Sequence, residues 1–267
     1  MSHDHPSRFA GLAGELTGDD DTTPPIVLLH GFTYDRRNWE PTMTELRRLD
    51  PARRVLALDL PGHGQSRGTR GFGLEQVAVT VHAATDEAGL RAPVMVGHSA
   101  GAIVATIYAA AWSTSGVVNV DQLLEVGDFA AHLRTKTDQL HGPDYGDVWD
   151  ELRGSLRIDL LPPAAQDLLW RTSTPRQDLF LGYWAEVLDG DLAALDERID
   201  TTLAALRTIG VPYTYLAGGP VDPVYERWMH ERLPDAAVLC GPGSGHFVHL
   251  AHPHRFAQLL ASTAAWP

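Results

Sequence analysis

Three short runs of this chain are apolar at every position: Ile26-Val27-Leu28-Leu29, Val55-Leu56-Ala57-Leu58 and Ala236-Ala237-Val238-Leu239. A fourth, Val94-Met95-Val96, leads directly into Gly97. A strand with one wet face alternates apolar and polar residues, whereas a strand covered on both faces does not. Val117-Val118-Asn119-Val120 and Pro212-Tyr213-Thr214-Tyr215-Leu216-Ala217 read as two more strands of the buried kind. Between these runs the period changes. Trp39, Met43, Leu46 and Leu49 recur at helical spacing and predict one apolar stripe on a helix over 38–49. Leu74, Val77, Val81, Ala84 and Ala88 predict a second helix over 74–89, and the small residues over 100–111 a third. Further helices are predicted over 224–233 and over 255–264, the last turning Phe256, Leu259 and Leu260 inward. Phe9 to Thr17 predicts a strand or hairpin ahead of an acidic turn at Gly18-Asp19-Asp20-Asp21. Buried strands alternating with helices imply a mostly parallel sheet with helices on both faces. Such sheets carry their sites at the carboxyl ends of the strands.

The alternation stops between Leu123 and Arg207, where helical stretches are broken at Gly142-Pro143 and Leu161-Pro162-Pro163. Residues 123–207 therefore read as a helical insertion, with 1–122 and 208–267 forming the α/β core. Phe129, Tyr145, Trp149, Trp170, Phe180, Tyr183 and Trp184 concentrate in it. Two readings stand side by side: packing of the inserted helices on the sheet, or an apolar lid over a site. On the second, Phe129, Trp170, Tyr183 and Trp184 would line a substrate pocket.

Composition narrows the classes. At 267 residues and 44% hydrophobic content the chain can bury a sizeable core. Its net charge of −13 and the lack of a Lys/Arg block argue against a nucleic-acid partner. No run approaches the length of a membrane span, so no membrane association is expected. Cys240 is the one cysteine, which excludes an intrachain disulfide and fits a reducing compartment. The start, Met1-Ser2-His3-Asp4-His5-Pro6, has neither the basic nor the apolar region of a signal peptide, so a cytoplasmic location is expected.

The candidate chemistry centres on Gly97-His98-Ser99-Ala100-Gly101, a G-x-S-x-G between a predicted strand and a predicted helix. A serine on so tight a turn has its hydroxyl thrust above the sheet edge, and large neighbours would clash there. The amides at the start of the following helix favour a developing anion. A serine hydroxyl needs a base, and the base needs an orienting carboxylate. Asp222 and His246 both fall in loops after predicted strands, giving the order Ser99, Asp222, His246. In His30-Gly31-Phe32-Thr33 the Phe32 amide is placed, with that of Ala100, as an oxyanion donor. His63, in Pro61-Gly62-His63-Gly64, has no partner at a telling spacing and reads as a loop-packing residue. His98 reads as packing under the turn. His246, His249, His252 and His254 have no interleaved Cys or carboxylate, so no metal site is expected.

These residues together resemble the α/β-hydrolase superfamily, in its small, capped serine-hydrolase form. The likeness rests on Leu28-Leu29-His30-Gly31-Phe32, Asp59-Leu60-Pro61-Gly62-His63-Gly64-Gln65-Ser66, Gly97-His98-Ser99-Ala100-Gly101, Gly218-Gly219-Pro220-Val221-Asp222 and Ser244-Gly245-His246-Phe247. It implies the α/β-hydrolase fold with a helical cap inserted after the sixth strand. It also implies a cofactor-free Ser-His-Asp triad acting on a small-molecule ester or lactone through an acyl-enzyme. Epoxide hydrolases and dehalogenases of this superfamily carry Asp at the turn, so Ser99 points away from them. A C–C hydrolase, a perhydrolase or haloperoxidase-like enzyme, and a non-catalytic binder are the alternatives on the same fold. Relatives place the acid in a Gly-x-x-Asp loop, which Gly219-Pro220-Val221-Asp222 matches; others take it from the preceding strand end, which makes Asp121 the rival.

Overall fold

The computed structural model describes residues 7–20, 22–68, 71–241 and 243–261. Eight strands form one sheet: β1 (Ser7–Phe9), β2 (Leu12–Thr17), β3 (Ile26–Leu29), β4 (Val55–Leu58), β5 (Val94–His98), β6 (Gly116–Val120), β7 (Tyr213–Ala217) and β8 (Ala237–Cys240). Their spatial order is β1-β2-β4-β3-β5-β6-β7-β8. The first two strands form the hairpin expected over Phe9–Thr17, and β2 joins the sheet antiparallel to β4. Every later pairing is parallel.

The all-apolar runs have a direct physical reason. Along β3, Val27 and Leu29 belong to one core, while Ile26 and Leu28 belong to the core on the other face. The period of two is intact, but both faces are dry. Helix α1 (Glu40–Leu49) covers the Ile26 face, preceded by a 3₁₀ turn at Arg36–Trp39. Trp39, Met43 and Leu46 are buried as the stripe predicts, but Leu49 is 42% exposed. The helix ends there, so its last stripe position overhangs solvent. The Val27 face is covered by α2 (Leu74–Glu87) and α3 (Ala100–Ala111).

Seven helices intervene between β6 and β7: α4 (Gly127–Arg134), α5 (Thr137–His141), α6 (Tyr145–Ser155), α7 (Pro163–Thr172), α8 (Gln177–Tyr183), α9 (Ala185–Asp189) and α10 (Leu192–Ile209). Leu133, Leu140, Trp149, Leu168, Phe180 and Leu206 from this stretch join the same core as Val27 and Leu29. The insertion thus folds onto the sheet rather than around a core of its own. The chain finishes with α11 (Pro223–Arg232), α12 (Val248–Ala251) and α13 (Pro253–Ala261). The first turn, α12, was not expected from the sequence. On α13, Phe256 and Leu260 are buried and Leu259 is partly buried against them. Residues 262–264 of the expected last helix lie outside the described residues. Cys240 is half-buried on the edge strand β8. Among the described residues no helix is long and apolar enough to cross a membrane.

Candidate active site

Strand β5 ends at His98 and α3 begins at Ala100, so the whole strand-to-helix turn is one residue, Ser99. Its backbone sits at φ 52° and ψ −128°. A non-glycine residue there is strained and persists only where the surroundings impose it. The surroundings do so here. A Cβ on Gly97 would collide with the carbonyl of Gly101, and one on Gly101 with the carbonyls of Leu29 and His30, so the helix starts this close to β5 and β3 only because both are glycine. The Ser99 amide donates to the Val120 carbonyl at 3.1 Å, which ties the turn to the end of β6.

His246 follows β8 and its Nδ1 lies 2.8 Å from Oδ2 of Asp121. Loop position favoured Asp222 for this contact, with Asp121 as the rival, and the structure puts Asp121 there. Asp222 is exposed, and its Oδ1 accepts from the Val224 amide at 2.8 Å as the N-cap of α11. Asp121 instead stands at the end of β6, beside β5, so it leaves the sheet next to Ser99. Its backbone is also left-handed, at φ 53°. Its other oxygen, Oδ1, accepts from the Gly218 amide at 2.8 Å. Both carboxylate oxygens are thereby used, which fixes the plane of the group.

The turn that carries Asp121 is held by a buried polar network. Asn119 is fully buried; its Oδ1 accepts from the Gln122 amide at 3.0 Å and its Nδ2 donates to the Gln122 carbonyl at 2.9 Å. That Nδ2 also donates to the Tyr213 hydroxyl, which in turn pairs with Thr106 Oγ1, each at 3.0 Å. Gln122 reaches the site directly. Ser99 Oγ donates to Gln122 Oε1 at 3.5 Å, the limit of a hydrogen bond. Neither Asn119 nor Gln122 was singled out from the sequence. The available signal was a lone amide inside the buried run Val117–Val120.

Buried histidines position the surrounding loops. His30 Nε2 accepts from the Leu60 amide at 3.0 Å, and His63 Nε2 accepts from the Thr33 amide at 3.2 Å. An accepting Nε2 leaves the proton on Nδ1, which His30 gives to the Gly31 carbonyl and His63 to the Pro61 carbonyl. These two neutral rings cross-link the loops after β3 and β4 on either side of Phe32. His63 is thus the loop-packing residue expected, with a defined hydrogen-bonding task. His98 donates from Nε2 to the His246 carbonyl at 2.9 Å, so it does more than pack under the turn. His249 lies fully buried against Trp39, with ring centroids 4.4 Å apart. His254 turns outward to Glu45, so the histidine run diverges. Among the described residues no group of His, Cys, Asp or Glu could hold a metal ion.

Burial lowers the pKa of His30, His63 and His98, and brings that of His249 from 6.5 to about 3. Acidification will therefore destabilise the fold. The unfolded chain takes up protons near pH 6.5 that the folded chain refuses, so stability is complete above that value and falls as the pH drops toward about 3. Calorimetric midpoints should decline steadily over that window, and His249→Phe should flatten the decline. A midpoint indifferent to pH between about 7 and about 5 would contradict this account.

Gly31, the residue before Phe32, passes so close to Ser99 that a Cβ on it would lie 3.3 Å from the Ser99 Cβ. Ala100 opens α3, where an amide has no intrahelical acceptor. Among the described residues neither the Phe32 nor the Ala100 amide donates to a protein acceptor. The Phe32 ring is fixed by Trp184, Phe180, Tyr183 and Trp149, with centroids 4.8, 5.2, 5.6 and 6.1 Å away. Tyr183 adds a hydrogen bond from its hydroxyl to the Pro61 carbonyl at 2.9 Å. Of the expected pocket residues, Tyr183 and Trp184 are buried in this cluster. Phe129 is 38% exposed and meets Trp184 edge-on at 5.8 Å. Trp170 does not belong to the cluster: it is 55% exposed under the guanidinium of Arg153. It sits on the outer face of α7, where Leu168 and Leu169 turn inward. A separate apolar cavity of about 90 Å³ lies among Ile103, Ile107, Leu124, Val187 and Ile199, with Tyr183 on its wall.

The family model for the alpha/beta hydrolase family matches residues 26–259, which is most of the chain and includes Ser99, Asp121 and His246. The chain belongs to the alpha/beta hydrolase family. Within it, this alpha/beta hydrolase is similar to a 2-succinyl-6-hydroxy-2,4-cyclohexadiene-1-carboxylate synthase of Yersinia enterocolitica serotype O:8, at 27% identity over 90% of this chain and 86% of that one. It is equally similar, at 27%, to a pimeloyl-[acyl-carrier protein] methyl ester esterase of Neisseria meningitidis serogroup A, over 90% of this chain and 76% of that one. In three dimensions it superposes on an N-acyl homoserine lactone degrading enzyme with a TM-score of 0.69 and 19% identity, over 93% and 95% of the two chains. At that identity the superposition establishes the fold alone.

Proposed function

We propose that this alpha/beta hydrolase cleaves a carboxylic ester or lactone of a small molecule through an acyl-enzyme on Ser99. The observation that carries the proposal is the strained Ser99 turn beside a histidine whose Nδ1 is held by a carboxylate. An imidazole that donates from Nδ1 to Asp121 keeps Nε2 as its basic atom. Ser99 Oγ rests toward Gln122, and the proposed reaction requires it to turn from there to that nitrogen.

In the proposed reaction Ser99 Oγ attacks the substrate carbonyl while His246 Nε2 takes its proton. Asp121 stabilises the imidazolium that results. The Phe32 and Ala100 amides, with the amino end of α3 behind the latter, receive the oxyanion; each such donor is worth about 2.7–4 kcal/mol when tested by removal. His246 then passes its proton to the departing alkoxide, leaving an acyl-Ser99 and an alcohol. For a lactone the alcohol stays tethered to the acyl group. Water, deprotonated by the same histidine, attacks the acyl carbon and frees the acid. The methyl ester esterase among the similar proteins supports this reading.

The experiment is a panel of esters and lactones of graded acyl length, assayed with parallel mass spectrometry of the quenched enzyme. A substrate turned over with a transient mass increase equal to its acyl group is expected. Turnover of every active compound with no acylated protein under rapid quench would refute the covalent route.

A further inference from the structure

Three arginines of this acidic chain form no direct ion pair among the described residues and line one cleft. Acids outnumber bases by 34 to 21 in the sequence, so an arginine has many carboxylates to choose from. Arg8, Arg67 and Arg171 nevertheless form no direct ion pair among the described residues, although Arg171 acts at longer range on the Glu40 carboxylate. Arg8 donates only to the carbonyls of Gly11 and Gln65, and Arg171 only to the carbonyl of Asp167. Arg67 makes no hydrogen bond to the described protein and is exposed. All three line a cleft of about 680 Å³, together with Arg36 and Arg37. Those two are neutralised by Asp59 and Asp35, so the excess charge in the cleft belongs to the first three.

This cleft is distinct from the Ser99 site; neither Ser99, Asp121 nor His246 lines it. It lies along the loops after β3 and β4, closed by the end of α7. Its volume falls within the range of small-molecule sites. We infer that the Arg8–Arg67–Arg171 cleft binds the di- or polyphosphate group of a small molecule. Guanidinium forks recognise both phosphate and carboxylate. Here they come from three separate segments of the chain: β1, the loop after β4 and α7. A tetrahedral, multiply charged group can accept donors from several directions, whereas a carboxylate presents its lone pairs in one plane.

Inorganic pyrophosphate is the probe, titrated calorimetrically into the full chain at low salt, with citrate as the carboxylate comparison. The readout is binding, so it stands or falls apart from any hydrolytic activity. Saturable binding of pyrophosphate, tighter than that of citrate and weakened by added salt, is expected. The triple variant Arg8→Gln, Arg67→Gln, Arg171→Gln should weaken it by about ten-fold or more. A control triple, Arg91→Gln, Arg207→Gln, Arg227→Gln, removes the same charge from other exposed positions and should leave binding within about two-fold. If the first triple unfolds, Arg67→Gln alone serves, since no described hydrogen bond depends on it; a loss of about three-fold is expected. No saturable binding, tighter binding of citrate, or an equal loss in the control triple would overturn the inference.

Discussion

Asp121→Asn is expected to lower turnover of any ester substrate by about 10⁴-fold, the effect typical of removing the carboxylate that orients a catalytic histidine. The Asn amide can donate to His246 Nδ1, which would leave the ring's proton on Nε2, the wrong tautomer for a base. Asp222→Asn should leave turnover within about two-fold, because asparagine caps a helix nearly as well as aspartate. The pair of variants separates two explanations that a single one does not. If Asp121 served only to hold the loop at Gly218, Asp121→Asn would lower the thermal midpoint and spare kcat in the folded fraction. Under the present account kcat collapses in protein that is fully folded. Asn119→Ala should move both, since the buried amide fixes the turn that carries Asp121.

Ser99→Ala has the largest expected effect, a loss of about 10⁶-fold in turnover. Alanine lacks the hydroxyl but keeps a Cβ, so it must adopt the same positive φ as serine and adds no new clash. Folding should therefore be retained, and the loss should be chemical. Ser99→Ala combined with Asp121→Asn should be no worse than Ser99→Ala alone, because residues that act as one unit do not lose activity additively.

How much of this was readable in the sequence depends on the kind of signal. The one-residue turn at Ser99 was legible because steric demands leave marks. A one-residue turn between strand and helix needs glycine at Gly97 and Gly101, and a run buried on both faces must be apolar throughout. The parallel sheet followed from those runs, and so did the placing of the candidates at strand ends. The partner of His246 was not legible by position. Asp121 and Asp222 each follow a strand, and β6 and β7 are neighbours, so spacing alone favours neither. The discriminating mark was local. Asp222 precedes Pro223, and an aspartate followed by proline at the first helical position reads as a helix cap. Its carboxylate is spent on the Val224 amide. Asp121 had a subtler mark in Asn119, whose buried amide has no reason to interrupt an apolar strand unless it holds something. The aromatic residues of the insertion divided for the same kind of reason. Phe180, Tyr183 and Trp184 pack on Phe32, while Trp170 falls on the outer face of an amphipathic helix, a distinction set by helical phase and not by residue type.

The central claim is that Ser99 is activated by His246 with Asp121 behind it. The most direct measurement is intact mass after brief exposure to a serine-directed fluorophosphonate, for the wild type, Ser99→Ala and Asp121→Asn. The account predicts one adduct on the wild type, none on Ser99→Ala and much slower labelling of Asp121→Asn than of Asp222→Asn. An unlabelled wild type, or labelling that persists undiminished in Asp121→Asn, would contradict it.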